Sequence, residues 1–122
     1  MITGQFTGNI PIIRVTVGWK ESTQDPFAVL DTGFTGDLQL TPQMALDLGL
    51  EVKGVMNMKT ANGQIFSVPT ARAEASMEGI KNSIEVLISE SMPLVGISFL
   101  SKFGYKAIID CKYRTVNLEK VI

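Results

Sequence analysis

Apolar side chains recur at every second position through most of this chain, a period that suits strands and argues against a helical bundle. Ile13, Val15, Val17 and Trp19 alternate with Arg14, Thr16, Gly18 and Lys20. Ala71, Ala73, Ala75 and Met77 alternate with Thr70, Arg72, Glu74, Ser76 and Glu78, and Ile84, Val86 and Ile88 repeat the pattern. Val116 and Leu118 begin it again near the C-terminus. Turn-forming residues separate the runs at Asp25-Pro26, Asn62-Gly63, Glu78-Gly79 and Lys112-Tyr-Arg114. One apolar and one polar face per run is the signature of strands packed on a core by one side. The expectation is an all-β, mainly β fold.

Two short helices should interrupt it. Thr41-Pro42 reads as an N-cap followed by proline at the first helical position; Met44, Ala45 and Leu48 give an apolar face and Gly49 stops it. A second helix is expected from about Ser98 to Phe103, with Gly104 as its stop. The order of parts is nearly repeated. Ala28-Val29-Leu30 leads into Asp31-Thr32-Gly33, a short strand and a helix; Pro93-Leu94-Val95 leads into Gly96, a helix and the apolar strand Ala107-Ile108-Ile109-Asp110.

At 122 residues the chain makes one domain, residues 1–122, large enough to bury roughly two-thirds of its unfolded surface. Eleven basic residues nearly balance twelve acidic ones. Neither sign forms a block, so no nucleic-acid groove or polybasic membrane patch is expected. The start, Met1-Ile-Thr-Gly-Gln-Phe, has no signal-peptide character, and no apolar run is long enough to span a bilayer. A single cysteine, Cys111, fits a reducing compartment, and the cytoplasm is the expected location.

The chain contains no histidine. Ser-His-Asp and Cys-His catalysis, histidine bases and the common zinc sites are thereby excluded. With no histidine to activate it, Cys111 reads as a buried or unreactive thiol. Hydrolytic chemistry must then rest on carboxylates, lysine or a carboxylate-bound metal. Among the acids Asp31 stands out: it ends an apolar strand and is followed at once by turn residues, which places a carboxylate on a rigid loop at the floor of a cleft. Asp110 should hydrogen-bond its own turn, Glu74, Glu78 and Glu85 look solvated, and Lys102 and Lys106 flank a helix end where positive charge suits the dipole.

These residues resemble the retropepsin-like aspartic proteases. Asp31-Thr32-Gly33 after an apolar strand is similar to the family's catalytic loop. Leu94-Val95-Gly96 followed by Ile-Ser-Phe-Leu and Phe103-Gly104 is similar to its second signature, and Thr60-Ala61-Asn62-Gly63-Gln64 sits where the family places the tip of a flap hairpin. The resemblance extends from about Val15 to Leu118 and is nearest to the single-domain bacterial branch, which carries an aromatic after Asp-Thr-Gly and a glycine two residues later, as Phe34 and Gly36 do here.

The resemblance implies a retropepsin-like acid protease barrel with one or two short helices. It also implies peptide hydrolysis by a water activated between two Asp31 carboxylates, one from each subunit of a homodimer, with no metal or cofactor. Asp31, Thr32 and Gly33 would be the catalytic loop, Thr32 bonding the opposing loop across the two-fold axis. Ala61, Asn62 and Gly63 would close over an extended peptide or unfolded protein segment, and Phe34, Leu94 and Ile97 would wall its side-chain pockets or simply belong to the core. The final strand, Thr115 to Val121, would contribute to an interface sheet. The chain departs from viral members in having Phe34 in place of a small residue, Thr35 in place of an acid, Ile97 in place of arginine, and a flap tip that is not glycine-rich.

Two other readings remain open at this point. The fold could serve as a non-catalytic peptide-binding or dimerisation module, or Asp31 and Asp37 could ligate a divalent metal.

Overall fold

The computed structural model describes residues 1–122 and is mainly β. Its elements are β1 (Ile2–Thr7), β2 (Ile10–Arg14), β3 (Thr16–Trp19), β4 (Ser22–Gln24), β5 (Phe27–Leu30), β6 (Leu38–Leu40), α1 (Pro42–Leu48), β7 (Val52–Lys59), β8 (Ile65–Met77), β9 (Ile80–Ile88), β10 (Leu94–Val95), α2 (Ile97–Phe103), β11 (Tyr105–Asp110) and β12 (Thr115–Lys120). The expected alternation is realised: Ile13, Val15, Val17, Ala71, Ala73, Ala75, Met77, Ile84, Val86, Val116 and Leu118 are all buried. All four expected turns lie between consecutive strands.

The twelve strands form one mixed sheet in the order β11-β12-β1-β2-β5-β10-β6-β9-β8-β3-β4, with β7 attached to β8. The long strand β8 changes partner along one edge. Its first half pairs with β7 and its second with β3, while β9 holds the opposite edge. The sheet folds around one core, to which β2, β3, β5, β6, β8, β9, β10, β11, β12 and both helices contribute. No helix is long and apolar enough to cross a membrane.

Both helices end as their sequences require. Thr41 caps α1, its hydroxyl accepting from the Met44 N–H at 3.2 Å, and Gly49 closes it with φ +73°, a conformation that glycine adopts without strain. The second helix starts one residue before the expected Ser98, at Ile97, and Gly104 ends it with φ +67°. Phe99 and Phe103 anchor it in the core, with ring centroids 4.9 Å apart.

Several expectations are corrected. Glu78 is not merely solvated: it accepts from the Tyr105 hydroxyl at 2.7 Å and from the Met1 ammonium at 2.8 Å. Burial, with this carboxylate second, raises the pKa of the Tyr105 hydroxyl far above its usual range. Cys111 is exposed rather than buried. The final strand, β12, is paired with β1 on one edge and β11 on the other, so within one chain it offers no free edge for an interface sheet. Asp110 caps its turn as expected, accepting from the Lys112 and Tyr113 N–H groups at 3.0 Å.

Because Phe99 is fully buried and in tilted ring contact with Phe103, Phe99→Ala is expected to lower the unfolding free energy by about 3–5 kcal/mol. Urea unfolding followed by circular dichroism checks it.

Candidate active site

The two sequence landmarks meet through backbone. β5 and β10 run parallel and in register, Val29 beside Leu94 and Leu30 beside Val95. The pairing continues past the strand end, where the Asp31 N–H donates to the Val95 carbonyl at 3.0 Å. The half-repeat seen along the sequence is therefore a side-by-side contact in space, with Asp31 emerging next to Gly96.

Gly96 is required by packing, not by its dihedrals, which are extended (φ −103°). A methyl group there would stand 2.7 Å from the Phe34 carbonyl oxygen and would collide with the Gly36 carbonyl as well. The loop after β5 and the start of α2 thus touch main chain to main chain. The Ile97 N–H donates to the Phe34 carbonyl at 2.9 Å and the Gly96 N–H to the Asp37 carbonyl at 3.0 Å. Within the loop the Phe34 N–H returns to the Asp31 carbonyl at 3.1 Å.

The Asp31 carboxylate is half-buried, and its Oδ1 accepts from the Gly33 N–H at 2.9 Å. A side chain at position 33 would press on that oxygen at 3.3 Å. Thr32 and Gly33 are exposed at the crest of the loop. One carboxylate oxygen is thus oriented by the loop itself, and the crest beside it is open to solvent. Neither of the chain's two cavities includes Asp31. The first, about 220 Å³, lies among Thr16, Trp19, Thr23, Glu74, Ser76 and Lys81; the second, about 340 Å³, lies between Lys53, Thr70, Arg72 and Glu85. A single chain therefore has no enclosed cleft over Asp31.

Phe34 turns away from the crest. It is 8% exposed and packs with Val68 and Leu87, flanked by Met58 and Leu94. Gly36 makes room for its ring, since a methyl there would lie 2.7 Å from the ring edge. Phe34 therefore joins the Asp31 loop to the stem of the β7–β8 hairpin. Leu94 is half-buried and Ile97 is 44% exposed, so Ile97 offers the larger apolar surface beside the loop.

The β7–β8 hairpin carries the expected flap tip. Ala61, Asn62 and Gly63 are exposed; the Gly63 N–H donates to the Thr60 carbonyl at 3.0 Å and the Thr60 N–H to the Gln64 carbonyl at 2.8 Å. Gly63 has φ +88°, which favours glycine at that position. Cross-strand register places Met58 opposite Phe66 and Met56 opposite Val68. These four form one apolar face, of which Val68 and Met58 reach Phe34 while Phe66 and Met56 remain exposed.

Three neighbours of the loop, Asp37, Lys102 and Gln39, make contacts that the sequence reading did not assign to them. Asp37 is 4% exposed and its Oδ2 accepts from the Lys102 Nζ at 2.6 Å and the Glu85 N–H at 2.9 Å. Burial pushes its pKa up, but the Lys102 ammonium, the Ser98 hydroxyl and the Glu85 N–H outweigh it and hold the carboxyl below its ordinary value. Lys102 thus does more than complement the dipole of α2: it neutralises a buried acid. Gln39, also buried, donates to Ser91 and to the Met92 carbonyl, fixing the approach to β10. No advance signal stood in the sequence, because the alternation with Leu38 and Leu40 assigns Asp37 and Gln39 to the solvent side, whereas all four are buried. No three acidic or cysteine side chains converge anywhere as a metal cluster would require, and Asp37 is already occupied by Lys102.

No protein-family model matches this chain, and no curated protein resembles it closely enough in sequence to count as a relative.

Gly96→Ala should destabilise the fold by about 3 kcal/mol or more, because the colliding atoms are backbone and cannot swing aside; thermal unfolding checks it. For Asp37, the depressed native pKa means that its stabilising contribution is complete above the ordinary carboxylate value and is lost as the pH falls through the native value. The stability gap between wild type and Asp37→Asn should therefore narrow from about pH 6 to about pH 2, as read by urea unfolding across that range.

Proposed function

We propose that this chain is one half of a homodimeric aspartic endopeptidase, its active site completed when the Asp31 loops of two copies meet across a two-fold axis. The observation that supports the reading most is the Asp31 loop itself: a carboxylate oriented by Gly33 on an exposed crest, locked backbone to backbone against Val95-Gly96. Without histidine in the chain, a second carboxylate is the natural partner, and an isologous dimer supplies an identical one.

Two carboxyl groups brought together share one proton, because both cannot ionise at close range. Aspartic proteases are the established instance of such a pair. The ionised carboxylate takes a proton from a bound water as its oxygen attacks the peptide carbonyl carbon. The protonated partner donates to the carbonyl oxygen, giving a neutral gem-diol. On collapse one carboxylate takes a hydroxyl proton from the gem-diol while the protonated partner donates to the leaving amine, the C–N bond breaks, and the pair again holds one proton. The substrate is an extended peptide or unfolded protein segment lying between the Asp31 crest and the Ala61-Asn62-Gly63 tip, bonded through its main chain like an added strand. Thr32 braces the opposing loop, and Ile97, Leu94 and the exposed Phe66 and Met56 offer apolar contact. Phe34 acts from beneath by holding the loop to the hairpin. The cytoplasm is the proposed location, on the single cysteine.

A second reading, a peptide-binding module without chemistry, draws on the same exposed apolar hairpin face. Asp31→Asn separates them. It is expected to reduce cleavage of an unfolded protein at mildly acidic pH by at least about a thousandfold while leaving the dimer intact by analytical ultracentrifugation. Undiminished cleavage by the variant would refute the aspartic mechanism; a wild type that binds peptide without cleaving it would favour the module.

A further inference from the structure

We propose that the Asp37–Lys102 ion pair is the positioning device of the Asp31 loop, fixing the direction of the carboxylate without touching substrate. The inference rests on the reading of Asp31 as the reacting group.

Within the chain the carboxylate is oriented by one hydrogen bond, from Gly33 of its own loop. Its direction therefore follows the path of residues 31–37, in which Thr32, Gly33 and Thr35 are exposed and Phe34 is packed beneath. Phe34 holds the middle of that path, and separate contacts hold its two ends. At one end the β5–β10 pairing and the Asp31–Val95 hydrogen bond fix where the loop begins. At the other end Asp37 is held at three points: its carbonyl by the Gly96 N–H, and its Oδ2 by both the Glu85 N–H and the Lys102 ammonium.

Lys102 is itself fixed. Its Nζ also reaches the Ser83 carbonyl at 3.4 Å, and its own carbonyl accepts from the Asn82 side chain at 3.3 Å. One side chain thus joins the last turn of α2, strand β9 and the far end of the loop. The first turn of α2 meets the near side through Ile97 and Phe34. The helix is therefore clamped to the loop at both ends, and the loop cannot pivot without breaking a charged contact.

Stability alone is a poor reason for such a pair. Desolvating two charges offsets much of their attraction, and apolar residues of similar size often do as well or better. What an ion pair with two further hydrogen bonds supplies is a single geometry. Catalysis is sensitive to that, because displacing a reacting group by about 1 Å can cost about a hundredfold in rate.

The test compares wild type with Lys102→Met, Lys102→Arg and the double variant Asp37→Asn/Lys102→Met, at a temperature where each is folded. The double variant leaves no buried unpaired charge, so it remains informative where the single one does not fold. For Lys102→Met and the double variant, kcat on an unfolded protein substrate should fall about tenfold or more, with KM unchanged within about twofold, and Lys102→Arg should recover most of the loss. Independently of activity, hydrogen exchange at the Phe34 and Ile97 amides should quicken at least about tenfold relative to Ala73 and Val116 in the core strands. Unchanged kcat in the folded variants, or exchange that quickens equally at all four amides, would overturn the proposal and leave the pair a stabilising contact only. If wild type does not cleave, or Asp31→Asn still does, the catalytic reading fails, and the exchange pattern alone decides whether the pair fixes the loop.

Discussion

The contact on which the rest of the molecule depends is the backbone-to-backbone meeting of the Asp31 loop with Gly96. Two short parallel strands, β5 and β10, come from opposite halves of the chain and bring two turns side by side. No side chain fits between them, and Gly96 meets that condition with an ordinary extended backbone. Once they touch, the main-chain N–H groups of Gly96 and Ile97 have the loop carbonyls of Asp37 and Phe34 as partners. Those bonds set where α2 begins, and its first full turn then carries Phe99 into the core. The loop and the core are thus one mechanical unit.

Phe34 extends that unit towards the hairpin. Its ring folds back over Gly36 and enters a small apolar cluster with Val68, Leu87 and Met58. The cluster stands apart from the main core, and it seats the stem of the β7–β8 hairpin on both the loop, through Phe34, and strand β9, through Leu87. The hairpin also bears exposed Met56 and Phe66 on the face it shares with Met58 and Val68, and exposed Val55 and Ile65 on its opposite face. A bulky residue after Asp-Thr-Gly therefore has a placement other than obstruction: it faces the hairpin stem beneath the crest.

Much of this was legible in the sequence because it depends on local rules. Period-two alternation identified the core faces of β8, β9 and β12, and Thr41-Pro42, Gly49 and Gly104 marked helix ends through dihedral and capping preferences that act within a few residues. The Asp31 loop and Gly96 were legible as separate landmarks. What was not legible is the set of interactions between residues far apart in the chain. Asp37 and Lys102 are separated by 65 positions, and nothing local distinguishes a buried acid with a partner from a solvated one. Glu78 misled for the same reason, since its partner Tyr105 lies 27 positions away. Cys111 was read as buried or unreactive because no histidine stands ready to activate it, and of these the turn between β11 and β12 rules out burial.

The topology also constrains how a second copy can dock. The final strand is flanked by β1 and β11, so a dimer built by adding strands to β12 would first have to break an existing ladder. The strands at the two ends of the sheet order are β4 and β11, with β7 paired to β8 alone, and all three are remote in that order from β5, which leads into Asp31. In the proposed dimer, the surface nearest the two-fold axis would be the loop crest and the residues beside it. That crest is Thr32 and Gly33, exposed and small, with Ile97 alongside as the larger apolar contact. Small residues at an axis allow two loops to approach closely, and a rigid loop loses little entropy when they do. The clamp formed by Gly96, Asp37 and Lys102 would then serve association and chemistry together, because a loop fixed before the partner arrives presents the same surface to both.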